Sequence, residues 1–278
     1  MFKAYIMTTE IKLPELNDFK SIPQSMIDEF RKDGHTLVRG LLSQEEVKAY
    51  QEVLVHAAEK YNTEKRKMEE RDTYGKAFLQ IMNLWRNDEN VKKFVMAKRF
   101  AKVAADLLGV DNVRIYHDQA LFKEPGGGPT PWHQDQYYWP IDTKDTITMW
   151  MPLVDINVNM GMLTFASGSH TKGRIFNYEI SDESEQAYND YVKDNNFPIS
   201  RATEMKAGDA TWHYGYTIHN APGNNSASMR EVMTIIYFAD GAKVHEPQNS
   251  WQKKDLEVWM MNTPVGEKID TEINPLVL

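Results

Sequence analysis

The apolar pattern of this chain changes period once, close to residue 110, and that change limits the folds open to it. Before it, apolar residues recur at the three-to-four spacing of amphipathic helices; after it they come in short runs separated by Gly, Pro, Asn and Asp. Ser43-Gln44-Glu45-Glu46 reads as a capping box, in which a hydroxyl and a carboxylate satisfy the free N–H groups of a helix start. Val47, Tyr50, Val53, Leu54 and Ala57 follow on one face, and a second helix is expected from Asn90 to Leu108, stopped by Gly109. Six β-type runs come next: VRIYHDQALF, WHQDQYYW, TITMWMPLVDI, LTFA, ATWHY and EVMTIIYF. Strands of this kind, with long gaps between partners, favour an antiparallel double-sheet jelly roll over a βαβ fold. The expected fold is therefore mainly β, with N-terminal helices packed on one outer face. One domain over 1–278 is expected, with a helical layer over about 22–110, a β core over about 112–240 and a C-terminal extension over 241–278. Two segments interrupt the strands, the glycine-rich EPGGGPTP (124–131) and an acidic, helix-capable stretch at 181–194; both read as rim loops or lids.

Composition narrows the function. With 32 basic and 40 acidic residues the formal net charge is −8, which lacks the positive field that supplies most nucleic-acid affinity. The same field disfavours a polyanionic substrate such as a coenzyme A thioester, so a small-molecule partner is expected and nucleic acid is not. No run approaches the roughly 18 apolar residues of a membrane span, and MFKAYIMTTEIKLPEL has no apolar stretch long enough for a secretory leader. A cytoplasmic protein without membrane contact is expected; the oligomeric state is not legible. The chain has no cysteine, which removes disulfides, thiolate zinc sites, iron–sulfur clusters and a cysteine nucleophile. Any metal must sit on His, Asp or Glu.

Pro131-Trp132-His133-Gln134-Asp135-Gln136-Tyr137-Tyr138-Trp139-Pro140 carries the strongest chemical signal. Read as a strand, it places His133 and Asp135 on one face and Gln134 on the other. An imidazole and a carboxylate need a third ligand, and His219, in Thr217-Ile218-His219-Asn220, supplies one. Two histidines and one carboxylate on a single face leave the opposite positions of an octahedral metal open, the arrangement of non-haem Fe(II) oxygenases. Arg230 stands at the head of the apolar run EVMTIIYF, where a planar guanidinium is suited to a carboxylate held bidentately.

These landmarks resemble the phytanoyl-CoA dioxygenase-like family of Fe(II)/2-oxoglutarate-dependent oxygenases. The resemblance rests on Gly40-Leu41-Leu42-Ser43, Leu121-Phe122-Lys123-Glu124-Pro125, Trp132-His133-Gln134-Asp135 with Tyr138 and Pro140, Gly161-Met162-Leu163, Ser167-Gly168-Ser169-His170, Gly208-Asp209, and His219 through Asn224 to Arg230. It covers most of the chain and implies a double-stranded β-helix, the cupin-like form of the jelly roll. It further implies that His133, Asp135 and His219 ligate iron, with 2-oxoglutarate and O2 as co-substrates and Arg230 as the clamp on the distal carboxylate. Gln119, Trp150 and Asn224 fall where relatives approach 2-oxoglutarate. Halogenating relatives replace the carboxylate ligand by a small residue, so Asp135 implies a hydroxylase, acting on a C–H bond with release of succinate and CO2. The EPGGGPTP loop, the acidic insert and the surroundings of Tyr137 and Trp139 depart from the pattern, so phytanoyl-CoA is not implied as substrate.

Other residues weigh against plainer roles. His170 reads as structural, bonding backbone at a turn, and His213 stands open as a neighbour of the metal. His117 shares a strand face with Gln119 and, with Tyr137 and Trp139, is a candidate substrate contact; each has packing as its ordinary role. Gly126-Gly127-Gly128 lacks the Lys-Ser/Thr of a phosphate loop, and no Gly-x-Ser-x-Gly elbow occurs. The competing functions are a metal-binding jelly-roll sensor or binding protein, a degenerate oxygenase without turnover, and a hydrolase or isomerase on another metal. Consumption of 2-oxoglutarate separates them, and Arg230 speaks against the last.

Overall fold

The computed structural model describes residues 12–278; the expectation for the opening segment falls partly on residues 1–11, which lie outside the described residues. Two antiparallel sheets carry the fold. The larger has six strands in the order β1-β10-β5-β12-β3-β2, formed by β1 (His35–Val38), β2 (Leu79–Met82), β3 (Val113–Phe122), β5 (Thr146–Pro152), β10 (Ala210–Tyr214) and β12 (Val232–Ala239). The smaller runs β4-β11-β7-β8, from β4 (Thr130–His133), β7 (Thr164–Ala166), β8 (Ile199–Ser200) and β11 (His219–Ala221), while β6 (Ile156–Asn157) and β9 (Glu204–Met205) pair separately.

The alternation of β5 explains how the larger sheet is covered on both faces. Ile147, Met149 and Met151 join Met233, Ile235 and Tyr237 of β12 in a core shared with the helices, whereas Trp150 and Val232 pack toward Phe165 and Ala221 of the smaller sheet. The helical layer consists of α1 (Gln24–Asp33), α2 (Gln44–Tyr61), the short α3 (Thr73–Ala77), α4 (Glu89–Val95) and α5 (Lys98–Leu108). Phe94, Phe100, Val103 and Leu107 are fully buried against the sheet. At α2, Ser43 and Glu46 form the expected capping box. At α5, Gly109 takes the left-handed conformation (φ 75°) that ends the helix.

Several boundaries differ from the sequence pattern. The helical region also contains β1 and β2, which close the two edges of the larger sheet; four-residue strands are too short to show a period. The run expected as one helix over Asn90–Leu108 is two, α4 and α5, separated at Met96 and Ala97. The strand expected over WHQDQYYW stops at His133, and Asp135–Tyr137 form a 3₁₀ turn instead. EPGGGPTP is pinned rather than free, since Gly126 N–H donates to Asn224 O, Asn224 N–H to Gly127 O, and Gly128 N–H to Lys76 O, each at 2.9 Å. The acidic insert is α6 (Asp182–Asp194), capped by Ser181, and α7 (Ser250–Trp259) crosses back from the C-terminal extension. Among the described residues no helix is long and apolar enough to cross a membrane.

Candidate metal centre and co-substrate cavity

His133 closes β4 and His219 opens β11, and the two are directly paired across the sheet, with ring centroids 4.2 Å apart. Asp135 follows in the 3₁₀ turn; the extended Gln134 between them (φ −120°, ψ 127°) keeps His133 and Asp135 on one side although the strand has ended. Asp135 Oδ1 lies 3.5 Å from His133 Nε2 and 3.7 Å from His219 Nε2, and one ligand atom from each residue falls within 4.8 Å of the others. Each histidine donates Nδ1–H to a carbonyl two residues back, His133 to Pro131 O at 2.7 Å and His219 to Thr217 O at 3.0 Å. That fixes the orientation of both rings and turns each Nε2 toward the carboxylate. Burial, and then the neighbouring imidazoles of His133 and His213, hold His219 well below its ordinary pKa. Burial works against the Asp135 carboxylate, but the surrounding imidazoles outweigh it and keep it ionised. Two imidazole nitrogens and one carboxylate oxygen form an N2O donor set that fits a divalent first-row metal.

The second carboxylate oxygen of Asp135 is also held, by Thr148 Oγ1–H at 3.0 Å and by His213 Nε2 at 3.2 Å. His213 thus orients Asp135 from β10 and stands outside the three-residue cluster. Gln134 points away from the cluster. Its amide donates to Gly173 O (2.8 Å) and Tyr216 O (2.6 Å) and accepts from Ile175 N–H (3.1 Å), tying the turn to the segments before His219 and α6.

A cavity of about 1,000 Å³ opens from this cluster. Arg230 lines it and is 2% exposed; its guanidinium carbon sits 5.2 Å from the Trp150 ring, and Nη1 and Nη2 donate to Gly161 O (2.7 Å) and Leu121 O (3.4 Å). Nε has no partner, and no carboxylate pairs with the group among the described residues. Burial alone brings its pKa from 12.5 to about 9. A buried cation that faces a cavity and, among the described residues, has no carboxylate partner marks a place for an anion. Gln119 lies on the same wall, its carbonyl accepting from Gln80 Nε2 at 2.6 Å. Tyr137, Trp139 and His117 line the cavity as well. A bulge opposite Ile236 and Tyr237 turns both Tyr116 and His117 to the inner face of β3.

Asn224 is not brought to the cavity. Its Nδ2 donates to Lys123 O (3.0 Å) and Ser228 O (2.7 Å) and its Oδ1 accepts from Ser226, so the amide is spent on shaping the loop before Arg230. His170 bonds Arg31 O and stacks on Tyr214 away from the cluster. Thr148, Gln80, Asp255 and the α7 aromatics were not singled out by the sequence. Thr148 shares the alternation that picks Trp150 and was findable; the others come from distant segments with no motif.

A jelly roll with a His-x-Asp…His cluster at one cavity wall and a buried arginine at another defines a class, the metal-binding double-stranded β-helix proteins. Within it, the sequence model of the phytanoyl-CoA dioxygenase (PhyH) family matches residues 30–232, and the chain belongs to that family. It is 25% identical over 165 residues to a probable alpha-ketoglutarate-dependent hypophosphite dioxygenase of Stutzerimonas stutzeri, covering 55% of this chain and 54% of that one. It is 27% identical over 148 residues to a phytanoyl-CoA dioxygenase domain-containing protein 1 homolog of Dictyostelium discoideum (51% and 53%). The match therefore spans about half the length of these curated relatives. In fold it is similar to the non-heme alpha ketoglutarate dependent carbocyclase SnoK from nogalamycin biosynthesis, with a TM-score of 0.74, 23% identity and coverage of 92% and 97%. EctD from S. alaskensis, solved with 2-oxoglutarate and 5-hydroxyectoine, gives 0.66 at 18% identity, covering 87% of this chain and 88% of that one.

Proposed function

We propose that the protein is an Fe(II)- and 2-oxoglutarate-dependent oxygenase that hydroxylates a small organic molecule, the whole chain acting as one domain. The observation that carries this reading is Arg230, an unpaired buried guanidinium in the same cavity as the His133/Asp135/His219 cluster. Two of the proteins named above, the probable hypophosphite dioxygenase and SnoK, have alpha-ketoglutarate dependence in their descriptions and support it. In this reading His133, Asp135 and His219 hold the metal. The chemistry supplied there is activation of O2 coupled to decarboxylation of 2-oxoglutarate, so that R–H, O2 and 2-oxoglutarate give R–OH, succinate and CO2.

The chain's own residues do the positioning. Arg230 binds the distal carboxylate of 2-oxoglutarate, and Trp150 flanks that anchor. Gln119, its carbonyl already engaged by Gln80, turns its amide N–H groups to the co-substrate. His213 and Thr148 hold one oxygen of Asp135 so that the other keeps a fixed direction toward the metal. Tyr137 and Trp139 exclude bulk water and face the substrate.

The test is anaerobic titration of 2-oxoglutarate into the Fe(II)-loaded protein, watched for the visible metal-to-ligand charge-transfer band of a chelate. The band should appear in the parent protein, weaken in Arg230→Met with iron still bound, and vanish with iron in His133→Ala and Asp135→Ala. Iron bound tightly with no band at any co-substrate concentration would put the binding-protein reading in its place.

A further inference from the structure

The inner face of β3 gives the cavity a direction. Leu121 lies at the Arg230 end and His117 four residues away, which at roughly 3.3 Å per residue is about 13 Å along the strand. That is more than 2-oxoglutarate spans, so the His117 end is left for substrate. His117 is 3% exposed and its Nδ1 has no partner among the described residues. Burial takes its pKa down to about 3, so the ring is neutral and one nitrogen can accept a hydrogen bond. Beside it, Tyr116 donates its hydroxyl to Asp255 Oδ2 at 2.5 Å; Asp255 is 8% exposed and lines the cavity.

The rest of that end is aromatic and acidic. Trp259 packs 5.6 Å from His117, and Tyr138 meets Trp251 edge-on at 5.8 Å. Glu179 accepts from Trp251 Nε1 at 2.5 Å, bridging α7 to the segment before α6. Asp72, Glu179, Asp182 and Glu183, all exposed, line this part of the cavity beside Lys254, whose ammonium already lies 5.4 Å from the Trp251 ring centroid.

We propose that the substrate carries a protonated amine, bound between Asp255, the free nitrogen of His117 and the aromatic rings of α7 and the Tyr138 turn, with the neighbouring C–H facing the metal cluster. This rests on the oxygenase reading of the site. A buried carboxylate with one oxygen engaged gains most from a cationic hydrogen-bond donor, aromatic faces attract the same charge, and the acidic rim draws it in while repelling anions. A coenzyme A thioester meets the opposite field.

The experiment uses three probes of matched size at pH 7.5: 2-phenylethylamine, 2-phenylethanol and 3-phenylpropionate. Each is titrated anaerobically into the protein loaded with Fe(II) and 2-oxoglutarate, following tryptophan fluorescence and the visible band, and again into metal-free protein by fluorescence alone. The amine should saturate at a concentration at least about tenfold below the other two. Asp255→Asn should erase the preference. Because Asp255 also anchors Tyr116, the exposed pair Asp182→Asn/Glu183→Gln is tested beside it and should cut the preference about twofold, with the effect fading as salt is raised. Equal or tighter binding of the alcohol or the carboxylate, or no saturable response to the amine, overturns the proposal. A missing charge-transfer band strikes the oxygenase reading instead, and the metal-free titration still reports on the amine.

Discussion

Replacing Arg230 by methionine should leave the ligand-free protein at least as stable while removing its response to 2-oxoglutarate. Burial holds the guanidinium at about 9 rather than 12.5. At about 1.4 kcal/mol per tenfold, that is roughly 5 kcal/mol against the folded state at pH 7.5, below both values, where the full cost applies. Offsetting it are two hydrogen bonds from a charged donor to Gly161 O and Leu121 O, worth roughly 1.5 to 3 kcal/mol each and less for the one at 3.4 Å. The ligand-free balance therefore falls near zero or in favour of Arg230→Met, which retains the apolar stem against Trp150. Bound co-substrate reverses the sign. A bidentate carboxylate contact in this setting is worth about 3 to 5 kcal/mol, so the variant should bind 2-oxoglutarate about 10² to 10⁴-fold more weakly. Urea denaturation of the metal-loaded protein, with and without 2-oxoglutarate at a hundred times its parent Kd, reads both terms. The parent should gain about 2.7 kcal/mol and the variant almost nothing. A variant that loses several kcal/mol without ligand yet keeps the parent's ligand gain would refute the reasoning, because Arg230 would then be a structural cation and not an anion clamp.

Three further outcomes are expected. His213→Ala removes one of two contacts on the outer oxygen of Asp135 and should lower metal affinity about 10 to 100-fold in a chelator competition; unchanged affinity would leave Thr148 as the sole support. Gln134→Leu strands Gly173 O, Tyr216 O and Ile175 N–H in a site where Gln134 is 1% exposed, and should cost about 3 kcal/mol in urea denaturation. His35, held by burial at about 4 against 6.5, binds its proton more readily in the unfolded chain. Stability should therefore fall as the pH drops from 6.5 toward 4, by about 3 kcal/mol from this residue, and His35→Gln, which keeps a partner for Ser167, should flatten that slope.

The elements that the sequence made legible are those whose pattern is local. The capping box at Ser43, the stop at Gly109, and the full extents of β3 and β10 all follow from short-range chemistry. His133, Asp135, His219 and Arg230 were legible as residue types in order, from the His-x-Asp spacing, the later His219 and Arg230, and the resemblance they carry. Less legible were β1 and β2, which are strands only because the open edges of a large sheet accept them. Asn224 matched a polar position in the motif, yet its amide is consumed by Lys123 O and Ser228 O, a competition no linear pattern displays.

By itself, then, the sequence determined the change from a mainly helical to a mainly β half, since periodicity is a property of neighbouring residues, and its ordered landmarks carried the resemblance to the family. Only the tertiary structure decided what those donors face. It alone paired His133 with His219 across β4 and β11, put His213 behind Asp135, left Arg230 buried with no acid paired to it among the described residues, and folded α7 back to close the far end of the cavity. Each of these is a contact between segments far apart in the chain, set by how two sheets and a returning helix bury their apolar faces together, and therefore invisible until the fold is complete.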